Sequence, residues 1–140
     1  MVRDTRYDVL FEPIRIGPVT ANNRFYQVPH CTGMGYAMPR TLSAVREIEA
    51  EGGWGVVCTE YCSIHPSADD SPYPFYALWD EDDVRVMARM AEAIHRHGAL
   101  AGTELWHGGR RRPDSRRASP GMTDRLTRRF AKESEKEVCV

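Results

Sequence analysis

Apolar and polar positions along this chain follow two periods, and the switches between them predict its elements. Leu10-Phe11-Glu12-Pro13-Ile14-Arg15-Ile16-Gly17-Pro18-Val19 alternates around a Gly-Pro turn and reads as a small β-hairpin. Asn22-Asn23-Arg24 turns the chain into a first strand over about residues 24–29. From Thr41 to Glu51 the period becomes helical. Leu42, Val45 and Ile48 fall on one face with Ala44 at its margin, and Gly52-Gly53 stops the helix. Trp54 to Tyr61 reads as a buried strand, followed by a polar, proline-rich loop from Ser63 to Tyr76. Asp80-Glu81-Asp82-Asp83 then places acids where a helix macrodipole favours them. The helix running to His97 turns Val84, Met87, Met90, Ala91 and Ile94 inward, and Gly98 ends it. Ala99 to His107 is a third strand, stopped by Gly108-Gly109.

Strand, helix, strand, helix, strand with right-handed crossovers is a parallel βαβαβ unit. Periodicity leaves an open doubly wound sheet and a barrel equally open. No G-x-G-x-x-G follows the first strand, which argues against a dinucleotide site of the Rossmann type.

Composition narrows the class. With 140 residues, 41% hydrophobic and 28% charged, the chain suits one modest globular domain. No apolar run approaches the roughly 18 residues of a membrane span, and the charged N-terminus, Met1 to Asp8, does not read as a signal peptide. Cys31, Cys58, Cys62 and Cys139 lack disulfide-framework spacing, so reduced thiols in the cytoplasm are expected. The net charge of −1 conceals a break. Residues 1–109 carry nine arginines, no lysine and fifteen acids, whereas residues 110–140 carry eight arginines, two lysines and five acids. A basic nucleic-acid arm is one reading of that segment. The scarcity of aromatics among its arginines disfavours it.

Candidate chemistry collects at strand ends. Val28-Pro29-His30-Cys31 puts an imidazole and a thiol at the end of the first strand, with Gly33 and Gly35 just beyond. Taken alone, Cys31 reads more readily as a small buried residue at a strand end. Tyr61 ends the second strand, and Glu104 lies on the third. Cys58 and Cys62, four residues apart along a strand, cannot clasp one ion as a tight zinc turn does, and no metal site is expected.

Over residues 8–109 these motifs recur together in one order. They are Leu10-Phe11-Glu12-Pro13 with Ile16-Gly17, Asn23-Arg24, Val28-Pro29-His30-Cys31, Glu51-Gly52-Gly53-Trp54, Thr59-Glu60-Tyr61-Cys62-Ser63 and Glu104-Leu105-Trp106. The set resembles the N-terminal part of the Old Yellow Enzyme superfamily (NADH:flavin oxidoreductase/NADH oxidase). Cys31, Tyr61 and Glu104 make it most similar to the trimethylamine and dimethylamine dehydrogenases.

The resemblance implies an α/β fold: a partial FMN-binding TIM (β/α)₈ barrel, with an N-terminal hairpin and about three βα units. It implies FMN bonded covalently through the Cys31 sulfur to the C6 edge of the flavin ring, a bond that needs a thiolate. Val28 and Pro29 would offer backbone to the ring, and His30 would face flavin or substrate. Glu104 stands where the ene-reductases have glutamine. Once ionised it only accepts hydrogen bonds, which should tune the flavin potential; a salt bridge to a barrel arginine is the competing role. Tyr61 would form one wall of a bowl holding an alkylated ammonium, worth ~1–2 kcal/mol per face, with the other walls on strands beyond this chain.

The activity so implied is dehydrogenation of N-methylated amines with electrons passed to flavin and onward to an unspecified acceptor. NAD(P)H-dependent alkene reduction is the alternative, and a non-catalytic fragment with a basic nucleic-acid-binding tail the other. The catalytic group, the phosphate site and the iron–sulfur cluster of such relatives have no counterpart among these residues. Residues 1–109 are therefore expected to be the N-terminal part of the barrel, and 110–140 a basic, divergent or disordered tail. The chain alone is expected to be truncated, inactive and prone to self-association through an open edge strand.

Overall fold

The computed structural model describes residues 4–68 and 75–109. The basic segment 110–140, with Cys139, lies outside the described residues.

Residues Thr5–Phe11 form 3₁₀ turns capped by Asp4. The hairpin follows slightly later than its alternation predicts, with β1 at Ile14–Ile16 antiparallel to β2 at Val19–Ala21. Gly17, at φ +56°, takes the left-handed turn conformation that costs glycine least. The first barrel strand, β3, is shorter than expected and spans Tyr26–Gln27. A single helical turn α1, Met34–Ala37, precedes α2, Pro39–Glu51. Then come β4 at Val56–Ser63, the short β5 at Tyr76–Ala77, α3 at Glu81–His95 and β6 at Leu100–Trp106. Within the expected loop, β5 is thus an additional strand.

Strands β3 and β6 run parallel to β4 on its two edges, and β5 extends the β3 edge beside Cys62 and Ser63. The order first, second, third along the sheet is that of a barrel arc. Leu42 and Ala50 of α2 and Met90 and Ile94 of α3 share one core with Val57, Cys62, Tyr76 and Ala99. Both helices thus cover the same face of the sheet. On the opposite face the hairpin closes the N-terminal end, with Ala21 and Ile14 against Val56, Cys58 and Leu100. Two asparagines fasten it there: Asn22 Nδ2 donates to the Gly98 carbonyl at 2.6 Å and Asn23 Nδ2 to the Gly53 carbonyl at 2.9 Å.

The helix faces depart from the periodicity in an informative way. In α2 the buried residues are Leu42, Arg46 and Ala50, four apart, while Ile48 is 66% exposed. The stripe is rotated because Arg46 is drawn inward to a backbone partner described below. In α3 the buried stripe is Met90, Ala93 and Ile94, and Val84 in the first turn remains exposed. Asp80 caps that helix as its position predicts, accepting from the N–H groups of Asp82 and Asp83. Arg96 and His97 meet Glu47 of α2, and the Arg96 guanidinium holds the Glu47 carboxyl below the usual range. Among the described residues no helix is long and apolar enough to cross a membrane.

Candidate active site

The C-terminal ends of β3, β4 and β6 lie side by side, and an irregularity in β4 decides what they present. Cys58 pairs with Gly102 and Tyr61 with Glu104, so β4 spends three residues where β6 spends two. Such a bulge re-aims the residues beyond it. Without it, Cys58 and Tyr61 would point to opposite faces. With it, Tyr61 stands beside Glu104 on the face shared by Cys58 and Gly102. Gly102 has no room for a side chain, since an added Cβ would lie 2.5 Å from Cys58 Sγ. Cys62 stands on the helix-covered face instead. The two β4 cysteines therefore diverge, and no group of three His, Cys, Asp or Glu suited to a metal occurs among the described residues.

After β3 the chain enters the loop bearing Cys31. Val28 is 62% exposed, His30 and Cys31 are exposed and Pro29 is half-buried. Cys31 is thus not the buried strand-end residue that a lone cysteine suggests. Two charged side chains, both fully buried, hold this loop. Arg46 Nη2 donates to the His30 carbonyl at 2.7 Å, while its Nη1 reaches Glu49 at 3.0 Å. Glu60 Oε1 accepts from the Thr32 N–H, the Thr32 hydroxyl and the Gly33 N–H, and Oε2 accepts from the Gly35 N–H at 2.9 Å. Gly33 sits at φ +78°, and Gly35 packs directly against Glu60, Phe75 and Tyr76. Neither Arg46 nor Glu60 stands out by residue type. The available signal is a charge at a position whose neighbours four residues away, or on either side, are buried.

Tyr61 is half-buried and fixed by two rings. Phe75 meets it edge-on at 5.1 Å between centroids, and Trp106 lies tilted at 5.5 Å. Both rings are neighbours of Tyr61 within this chain that the residue pattern did not indicate. Glu104 is exposed. The ion pairs formed by Arg6, Arg46, Arg85 and Arg96 go to Asp4, Glu49, Asp82 and Glu47, not to Glu104. At the mouth, Ser67 Oγ lies 2.8 Å from His65 Nδ1 and 3.4 Å from His107 Nε2.

Thiol chemistry separates the cysteines. Burial pushes the Cys62 thiol up to about 12, and burial likewise raises that of Cys58, which contacts the Tyr26 hydroxyl at 3.2 Å. Only thiolates attack efficiently, so of the three described cysteines the exposed Cys31 is the one placed to react. A flat aromatic heterocycle lying across these strand tips fits what is present: an exposed thiol on a fixed loop, the exposed Val28, whose carbonyl accepts from Gln27 Nε2 at 2.6 Å, and an exposed carboxylate on β6.

A parallel strand arc backed by helices, with exposed polar side chains at its C-terminal strand ends, is the architecture of a TIM-barrel enzyme. The chain belongs to the NADH:flavin oxidoreductase / NADH oxidase family, whose sequence profile matches residues 9–138. It is 50% identical over 123 residues to dimethylamine dehydrogenase of Hyphomicrobium sp. (strain x), covering 86% of this chain and 17% of that one. Histamine dehydrogenase from Rhizobium sp. 4-9 superposes with a TM-score of 0.74 at 38% identity, covering 96% of this chain and 24% of that one. The 6-hydroxypseudooxynicotine amine oxidase of Pseudomonas geniculata N1 gives 0.73 at 37%, covering 95% and 23%. The chain thus spans about a quarter or less of each of these relatives. Its fold is an N-terminal arc of their TIM barrel.

Proposed function

We propose that this chain supplies the first strands of an FMN-binding barrel in which an N-methylated amine is dehydrogenated, with FMN held covalently by Cys31. The observation that carries the reading is the convergence of three strand tips. Thr32, next to Cys31, is bonded to Glu60; Glu60 adjoins Tyr61; and Tyr61 is in register with Glu104. The printed names of the relatives, a dimethylamine dehydrogenase, a histamine dehydrogenase and an amine oxidase, support an amine as the substrate class.

In this reading the bound flavin supplies the two-electron acceptor. Val28 and Pro29 would lie along its ring, His30 would face ring or substrate, and Glu104 would accept a hydrogen bond from a ring N–H. Tyr61, held by Phe75 and Trp106, turns its face to an alkylammonium. Joining Cys31 Sγ to a ring carbon would replace one S–H and one C–H bond by one C–S bond, a two-electron oxidation whose two electrons and two protons would be taken up by dioxygen or another two-electron acceptor. The buried reduced thiols fit a reducing compartment, the cytoplasm.

The test uses the longest polypeptide its gene encodes, purified with FMN. Anaerobic addition of dimethylamine or trimethylamine is expected to bleach the flavin absorbance. Bleaching by NADPH, with oxidation restored by an activated alkene and no response to amines, would replace this reading with alkene reduction.

A further inference from the structure

We propose that Arg46 and Glu60 are positioning residues for the Cys31 sulfur, acting on the two peptide units that flank its Cα. The His30 carbonyl belongs to the peptide plane before Cys31, and the Thr32 N–H belongs to the plane after it. Arg46 Nη2 donates to the first at 2.7 Å, and Glu60 Oε1 accepts from the second. The backbone on both sides of Cys31 is thereby held by opposite charges reaching in from different elements, α2 and β4. The sulfur keeps its rotation about Cα–Cβ and little else.

Core filling does not account for this arrangement. Both side chains are fully buried, and Arg46 Nε has no hydrogen-bond partner. Buried charges are costly, and apolar residues of similar volume often serve stability as well or better. Here each charge is directed at the backbone of a loop that exposes the Cys31 thiol together with Val28, His30 and Thr32. Glu60 adds the Gly33 and Gly35 N–H groups, extending the grip through the turn that follows. Forming a bond at one particular ring carbon requires that the sulfur arrive within a narrow range of position and angle, which a fixed backbone provides. The inference rests on the reading of Cys31 as the flavin anchor. It goes further by naming the residues that make the anchor competent.

The experiment follows attachment rather than turnover. The longest polypeptide its gene encodes is purified without cofactor and mixed with FMN. Flavin absorbance retained in the redissolved acid precipitate is then recorded over time for the wild type, Glu60→Gln and Arg46→Met, with melting temperature and circular dichroism as folding controls. A glutamine turns an N–H₂ group toward backbone donors that need an acceptor, and a methionine fills the arginine's space without its donor. Both variants are expected to attach flavin at least tenfold more slowly than the wild type. Amide exchange of the 31–35 segment should speed up at least tenfold in Glu60→Gln.

Attachment at wild-type rates in both folded variants overturns the positioning role and leaves the Cys31 reading intact. A wild type with no acid-stable flavin defeats the Cys31 reading instead. If the variants fail to fold, wild-type exchange still decides. Thr32, Gly33 and Gly35 amides that exchange as fast as an unstructured peptide overturn the clamp; slow exchange supports it.

Discussion

Replacing Gly35 by alanine tests how tightly the Cys31 loop is packed. The added methyl would fall against the Phe75 carbonyl oxygen and the Tyr76 ring, and 2.7 Å from Glu60 Oε2. Backbone and a buried ring cannot swing aside, so the loop itself must move, and overpacking of this kind costs ~1–3 kcal/mol. Moving it also breaks the Gly35 N–H bond to the Glu60 carboxylate, and a hydrogen bond to a charged group is worth ~1.5–3 kcal/mol. The expected loss is therefore about 3–5 kcal/mol. Gly33→Ala is the internal comparison. Its Cβ would meet only a Phe75 ring carbon at 3.7 Å, so the left-handed backbone at φ +78° is the main penalty, ~1–2 kcal/mol. Urea unfolding of both variants, followed by circular dichroism, measures the difference directly. Equal losses at the two positions would refute the packing described for Gly35, and so would a greater loss at Gly33.

Other consequences follow from the same geometry. The Cys62 thiol is pushed up to about 12 in the fold against 9.0 for an ordinary thiol, so the unfolded chain ionises first as pH rises. Its contribution to stability is fully present below about pH 9 and is lost as pH climbs toward 12, measurable as a falling urea midpoint in that window. At pH 8, brief alkylation of the native protein followed by peptide mapping should label Cys31 far ahead of Cys58 and Cys62; prior labelling of Cys62 would contradict the burial. Tyr61→Leu should raise the KM for a methylated amine about tenfold through loss of one cation–π face, and an unchanged KM would remove Tyr61 from the substrate's surroundings. Leu105, 63% exposed on β6, lies on a strand with no described partner on its outer edge. The 140-residue chain is expected to run above monomer size by light scattering, with Leu105→Lys shifting it toward monomer; a wild-type monomer would contradict this.

The elements were readable because each pays its way in periodicity: alternation at the hairpin, a helical stripe in α3, an unbroken apolar run in β4. The strand ends were read less closely: β4 runs two residues past Tyr61 to Ser63, and β3 stops at Gln27, four residues before Cys31. What could not be read is what depends on a third dimension. Arg46 and Glu60 look like solvated charges in a one-dimensional pattern. Only the fold shows that their partners are backbone groups of a loop 16 and 25–28 residues away. The bulge in β4 leaves no mark in residue type, yet it sets Tyr61 beside Glu104. Phe75 and Trp106 meet Tyr61 from a loop and a neighbouring strand, a meeting that spacing along the chain does not encode. Ile48 misled for a related reason: an apolar residue at helical spacing lost the inward place to an arginine with a backbone to bind.

The mass of a single peptide tests the central claim most directly. Trypsin should release Phe25 to Arg40, which contains Cys31 and no other cysteine. In the FMN-loaded protein this peptide is expected to carry the added mass of FMN less two hydrogens, with fragmentation placing the addition on Cys31. An unmodified peptide, with all the FMN recovered free, would contradict the account.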